Sequence, residues 1–298
     1  MKEIGKILLY LVATVCFGAL LAPLLFWGAH ALAHALGNAR LAAFFAETDF
    51  QRFFNRAVLV AAIALLWPLV RALRIRNVGE DLGLERDNRR WAHFFAGFGI
   101  AIFTLVTLGV WLVAADVYNF KSSIPWGRIA LLPLSAITVG LIEELLFRGA
   151  LQGVVRRTTN DGAALLFIAA LFAAIHFLKP PENAVAPHEV AWWSGFVLVP
   201  QAFWQWGDPK LLLGGFSTLF LVGLILGFAR CRTRSLWMPV GLHAGWIFSK
   251  MGFSKMTKRA MDDWPWFGKD ILVGIGPVLA LLLTWIIVWL WLRNEKSR

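Results

Sequence analysis

Glu143, Glu144 and Arg148 fall inside "LIEELLFRGAL" (141–151), an otherwise apolar run. A charge at the centre of a bilayer costs about 2.5–3.5 kcal/mol even on a lenient insertion scale. Charges kept at that depth face a protein interior and have partners there. Two more apolar runs carry one ionisable residue each: "LLFIAALFAAIHF" (165–177) holds His176 and "LWMPVGLHAGWIF" (236–248) holds His243. Glu144 and Arg148 are four apart, so on a helix they stack on one face and can pair. Glu143 lies about 100° round from Glu144, so the two carboxylates are expected to have different jobs. With Glu144 and Arg148 neutralising each other, Glu143 is the carboxylate with capacity left for general-base work.

Helical spacing also places Phe172 and His176 on one face, so the ring can wall the cavity into which the imidazole projects. Gly241 and Gly245 form a small-xxx-small pair that lets another helix approach closely, which is expected to bring His243 near the other two helices. Gly223 and Gly227 repeat the pattern on the helix before. One carboxylate, two imidazoles and an arginine on three helices suit addition of water to a carbonyl. In that reaction Glu143 takes the proton, one histidine orients the water, and the other donates to the developing oxyanion. Two other readings stay open. A metal ion could be held by Glu143, His176 and His243, a nitrogen and carboxylate set that suits zinc, although H-E-x-x-H is absent and Arg148 repels a cation. Alternatively the cluster is helix glue or a proton relay in a non-enzymatic membrane scaffold or transport protein. His30, His34, His93 and His188 lie near predicted helix ends and are assigned no function. No G-x-S-G motif supports serine chemistry.

The elements that must position these residues are membrane helices. The chain has 298 residues, 59% apolar and only 16% charged, with a mean hydropathy of +0.66. A soluble domain is about half apolar and a quarter charged. An all-α polytopic membrane protein follows, with about eight transmembrane helices near 7–36, 57–73, 92–115, 129–155, 161–178, 211–229, 236–253 and 271–292. The first apolar stretch outruns a signal peptide and lacks a small-x-small exit, so it is expected to stay as a span, tilted, bent at Pro23, or running into the interface near His30 and His34. The net charge of +11 sits in short loops, which encodes orientation and argues against a nucleic-acid partner. "RALRIRNVGEDLGLERDNRR" (71–90), "RRTTN" (156–160), "RCRTR" (230–234) and "RNEKSR" (293–298) fall on one side if both termini are cytoplasmic. "KMGFSKMTKR" (250–259) breaks that pattern with four basic residues on the opposite face. Tryptophans and Pro200 in "HEVAWWSGFVLVPQAFWQW" (188–206) suit an interfacial or re-entrant element. Cys16 and Cys231 offer neither a bridge framework nor a metal spacing. The whole of 1–298 reads as a single membrane domain with no second soluble one.

"EELLFRG" (143–149) resembles the E-E-x-x-x-R signature of the CaaX protease and bacteriocin-processing family, and "FAAIH" (172–176) resembles its F-x-x-x-H motif. "HAGWI" (243–247) is placed like its H-x-x-x-N motif, so the resemblance covers about 128–250. It implies a glutamic-type intramembrane endopeptidase of eight helices, with 128–250 as catalytic core and with no required metal or cofactor. Glu143 would activate water with help from His176, His243 would bind the oxyanion, and Glu144 and Arg148 would shape or charge the site. The substrate would be a membrane protein or a lipidated or hydrophobic peptide in the bilayer. Short loops and the lack of organelle-type signals fit a bacterial inner membrane. One departure stands out: the family's Asn or Asp position is Ile247 here. Losing an oxyanion donor costs about 100- to 1,000-fold in rate, so the site is altered, uses another donor such as Ser249, or has lost turnover.

Overall fold

The computed structural model describes residues 2–74, 79, 82–84, 88–261, 263–268 and 270–295. Parts of the 71–90 basic run and of the 293–298 tail lie outside the described residues. The chain divides into two compact units, one made of residues 1–75 and 176–208 and the other of 76–175 and 209–298.

The first unit is built on α1 (Lys2–Ala35), α2 (Ala39–Ala46) and α3 (Phe50–Ala72). Ala19, Ala22 and Phe26 of α1 pack on Phe50, Phe53, Phe54 and Ala57 of α3. Small residues let the helices close while the phenyl rings fill the space between, with Phe26 and Phe53 edge to face at 5.3 Å. α1 runs unbroken through Pro23. The Trp-rich stretch supplies only the helix Ser194–Gln201 and two short 3₁₀ turns, Pro187–Glu189 and Trp204–Gly207. Eight residues rise about 12 Å, too little to cross a bilayer, and Trp192, Trp193, Trp204 and Trp206 are exposed.

The second unit contains α4 (Arg90–Ala114), a five-residue helix Trp126–Ala130, α5 (Leu132–Glu144), a π-helical segment Leu145–Leu151, and α6 (Gln152–Thr158). It continues with α7 (Asp161–His176), α8 (Pro209–Thr233), α9 (Trp237–Met256) and α10 (Ile275–Glu295). Strands β1 (Tyr118–Phe120) and β2 (Thr257–Arg259) pair antiparallel, Asn119 opposite Lys258. This ribbon absorbs part of the basic stretch 250–259. Lys250 pairs with Asp270 at 3.2 Å, and Arg259 Nε donates to the Met261 carbonyl.

Helical structure forms in all eight predicted places, the one near 129–155 as the several segments of the run Trp126–Arg157. Only six runs among the described residues, this one included, are long and apolar enough to cross a membrane. α7 has 16 residues, about 24 Å of rise, short of the roughly 30 Å hydrocarbon core. α9 has 20 residues but carries His243, Ser249, Lys250, Ser254 and Lys255, and these lower its hydropathy. The fold is an all-α polytopic membrane protein. An eight-span count does not follow from length and composition.

Glycines set the close approaches in the second unit. A side chain at Gly245 would meet the Ala101 methyl at 2.7 Å, and one at Gly241 would run into the Phe94 carbonyl. The predicted small-xxx-small seam is therefore real, and its partner is α4. α5 reaches α9 through a different glycine: a Cβ on Gly140 would lie 3.2 Å from the Ala244 amide nitrogen. On α8, Gly223 lies against Ala169 of α7 in the same manner.

Candidate active site

Glu144 ends α5 and is fully buried, and Arg148 is 1% exposed. Arg148 Nη1 donates to Glu144 Oε1 at 2.8 Å, so the predicted i,i+4 pair is present. Arg148 Nη2 donates to the Gly223 carbonyl of α8 at 3.3 Å. Its guanidinium lies 4.5 Å from the Phe172 ring and 5.7 Å from the Phe147 ring. A planar cation against two mutually perpendicular rings, with its edges on a carboxylate and a carbonyl, is held in one orientation.

The segment that carries Arg148 is a π-helix, a conformation found often at functional sites. Gln152, one turn further on, is buried and donates from Nε2 to the Gly227 carbonyl at 3.4 Å. Arg148 and Gln152, four apart, thus bond two α8 carbonyls that are also four apart, and this ties the widened segment to α8.

His243 comes in from α9, 6% exposed. Its Nδ1–H donates to Glu144 Oε1 at 2.8 Å, so that one oxygen serves both the guanidinium and the imidazole. Its Nε2 lies 3.8 Å from Glu143 Oε2. The two carboxylates do differ in setting: the Glu144 side chain is sealed, and that of Glu143 is 23% exposed. They nevertheless meet at one ring, because an imidazole presents nitrogens on two edges. The Phe172 ring packs edge-on against His243, with centroids 5.7 Å apart.

Four of the five candidate residues, Glu143, Glu144, Arg148 and His243, therefore share one cluster. His176 is the last residue of α7, one turn beyond Phe172, and is exposed. It begins the stretch that belongs to the first compact unit. Ser249 is buried. It lies two turns beyond Gly241 and one beyond Gly245, on the face that packs against α4. Ser249 is about 120° round from His243 and Ile247 about 40° round on the other side, so Ser249 faces away from the side of α9 that Ile247 occupies. Among the described residues no group of three or more His, Cys, Asp or Glu side chains is arranged to hold a metal ion.

Sequence reasoning missed the Glu144–His243 bond, Gly140 and Gln152. Gln152 had a readable signal, a polar residue four beyond Arg148 in an apolar run. The bond joins residues 99 apart in the chain and had none.

Residues 125–249 match one protein family, described as type II CAAX prenyl endopeptidase, Rce1-like. The matched stretch contains all five candidate residues and is similar to the family that the three motifs indicate. It supports an intramembrane endopeptidase of the CAAX type in general. No curated protein and no solved structure matches the chain.

Proposed function

We propose that this chain hydrolyses a peptide bond of a membrane-associated protein or peptide within the bilayer, by a glutamic-type mechanism that needs no metal. The observation that carries the reading is the Glu144–His243–Glu143 arrangement. Glu144 accepts from Nδ1 and fixes the imidazole, which sets Nε2 3.8 Å from the Glu143 carboxylate. A base and a donor side by side are what water addition to a carbonyl requires.

Glu143 takes a proton from the attacking water and passes it to the leaving amine nitrogen as the tetrahedral intermediate collapses and the C–N bond breaks. In the form protonated on both ring nitrogens, His243 keeps its Nδ1–H on Glu144 and donates from Nε2–H to the oxygen of the scissile carbonyl as negative charge develops there. Arg148 balances Glu144, so the charge brought by the fixed carboxylate is offset inside the bundle. His176 orients the water, a role that rests on its place in the F-x-x-x-H motif. The substrate reaches the site from the lipid, which suits a chain whose matched family acts on CAAX proteins. In this reading both termini lie in the cytoplasm of a bacterial cell, an orientation that the one-sided basic runs support, and residues 128–250 form the catalytic core.

Glu143→Gln tests this reading because it keeps the shape and removes the base. Comparative C-terminal peptidomics of membranes holding wild-type or E143Q protein should reveal termini trimmed only by the wild type. Unchanged trimming by a folded E143Q protein would overturn the proposal. Chelator treatment separates the zinc-dependent alternative: activity lost and restored by zinc would favour it. A purely structural clamp is the third reading, favoured by the apolar Ile247. It needs Glu144, Arg148 and His243 but not the partly exposed Glu143, so E143Q also decides against or for it.

A further inference from the structure

A second polar feature of the second unit lies where three long helices begin or end. α4 begins at Arg90, α8 ends at Thr233, and α10 carries Arg293 in its last turn. Between these ends is a cavity of about 370 Å³ lined by Arg89, Arg232 and Arg293 and walled by Phe228, Trp289 and Leu292. No acidic side chain lines it among the described residues. Each arginine comes from a different basic run: Arg89 from 71–90, Arg232 from "RCRTR" and Arg293 from the tail.

The guanidiniums of two of them are held by rings. Arg232 lies 5.3 Å from the Phe228 ring centroid and Arg293 lies 5.4 Å from that of Trp289. Stacking of this kind fixes the plane of the cation and leaves its N–H edge for an acceptor. Helix dipoles do not account for the charge. Each helix C-terminus carries about half a negative charge, so the ends of α8 and α10 offset about one of the two cations they carry, Arg232 and Arg293. The α4 N-terminus adds positive potential of its own.

We propose that this cavity binds the phosphate of an anionic phospholipid headgroup. Arginines with tryptophan at span ends mark headgroup level, and basic pockets between membrane helices hold phosphorylated headgroups. The Phe228, Trp289 and Leu292 wall gives the start of the acyl region an apolar surface, which free phosphate could not use. The site is separate from the Glu143 cluster, and the proposal stands whether or not that cluster is catalytic.

The test uses the full-length chain in neutral detergent, titrated with short-chain phosphatidylglycerol, phosphatidylcholine or inorganic phosphate. Native mass spectrometry counts bound lipid, and the heat-denaturation midpoint reports protection. Phosphatidylglycerol is expected to bind at least tenfold more tightly than phosphatidylcholine. R232Q and R293Q should each weaken it about fivefold, the effect of one basic residue at a membrane surface. Both side chains are exposed, and lipid-free melting checks that the variants fold. R232K and R293K provide charge-keeping versions that should retain the preference over phosphatidylcholine. Equal binding of the two lipids, or Gln variants that bind like the wild type, would overturn the proposal. Protection by inorganic phosphate as strong as that by phosphatidylglycerol would overturn the lipid assignment and leave a simple anion site.

Discussion

Glu144 and Arg148 are both buried, and each carries a formal charge whose neutraliser is the other. Removing one partner of such a pair strands the other and typically costs about 3–5 kcal/mol. Arg148→Met is therefore expected to unfold at clearly lower denaturant, and adding Glu144→Gln should recover part of the loss. A double-mutant cycle in a denaturant titration reads the coupling directly. Glu143 should behave in the opposite way. Its side chain is partly exposed, and under the proposed mechanism it serves the reaction rather than the packing. E143Q should melt close to the wild type while peptide trimming falls about 100- to 10,000-fold, the usual worth of a general base. Substitutions at two neighbouring residues thus have separate signatures, one in stability and one in rate.

At the scale of elements, three helices reach α9 or α8 through glycines, and each contact fixes a distance in the site. The α4–α9 seam is the most sensitive to bulk. Gly245→Leu would place a side chain where the Ala101 methyl stands. Overpacking costs about 1–3 kcal/mol in a core, and backbone in close contact has less room to adjust. We expect G245L to lower the melting midpoint and also to weaken the His243–Glu144 contact by shifting α9. A methyl group at Gly5 would meet nothing within 4 Å, so Gly5→Ala should leave the midpoint unchanged or slightly raised. The π-segment is governed by similar logic. Arg148 and Gln152 bond α8 carbonyls in step, so Gln152→Leu should lower stability with Glu143 itself untouched. Thermal melting in detergent checks all three variants.

At the scale of the whole molecule, the surface is apolar because the solvent is lipid. Phe103, near the middle of α4, is 61% exposed, while Ala101 two residues earlier is fully buried against α9. Phe103→Arg should therefore cost about 2.5–3.5 kcal/mol of insertion free energy. The fraction of chain that resists alkaline extraction from membranes should fall accordingly, and Phe103→Leu should leave it unchanged. Six helices among the described residues meet the length and hydropathy needed to span. The site helices α7 and α9 do not, because one is short and the other carries the polar residues of the cluster and its flanks.

Composition and periodicity alone were enough for an all-α membrane fold, for where its long apolar helices lie, and for the Glu144–Arg148 pair. Those features depend on local facts: apolar runs long enough for a bilayer, and a helical repeat that stacks residues four apart. The motifs carried the resemblance to a CAAX endopeptidase family for the same reason, since each is a short local pattern along the chain. The tertiary structure decided what helices do to one another. It set Glu144 between Arg148 and His243, made α4 the partner of the Gly241–Gly245 seam, widened the helix at Leu145–Leu151, and drew three basic runs around one cavity. Such contacts join residues up to about two hundred positions apart in the chain, and they arise from packing of small residues against backbone. A one-dimensional pattern carries the means of close approach but not the identity of the neighbour.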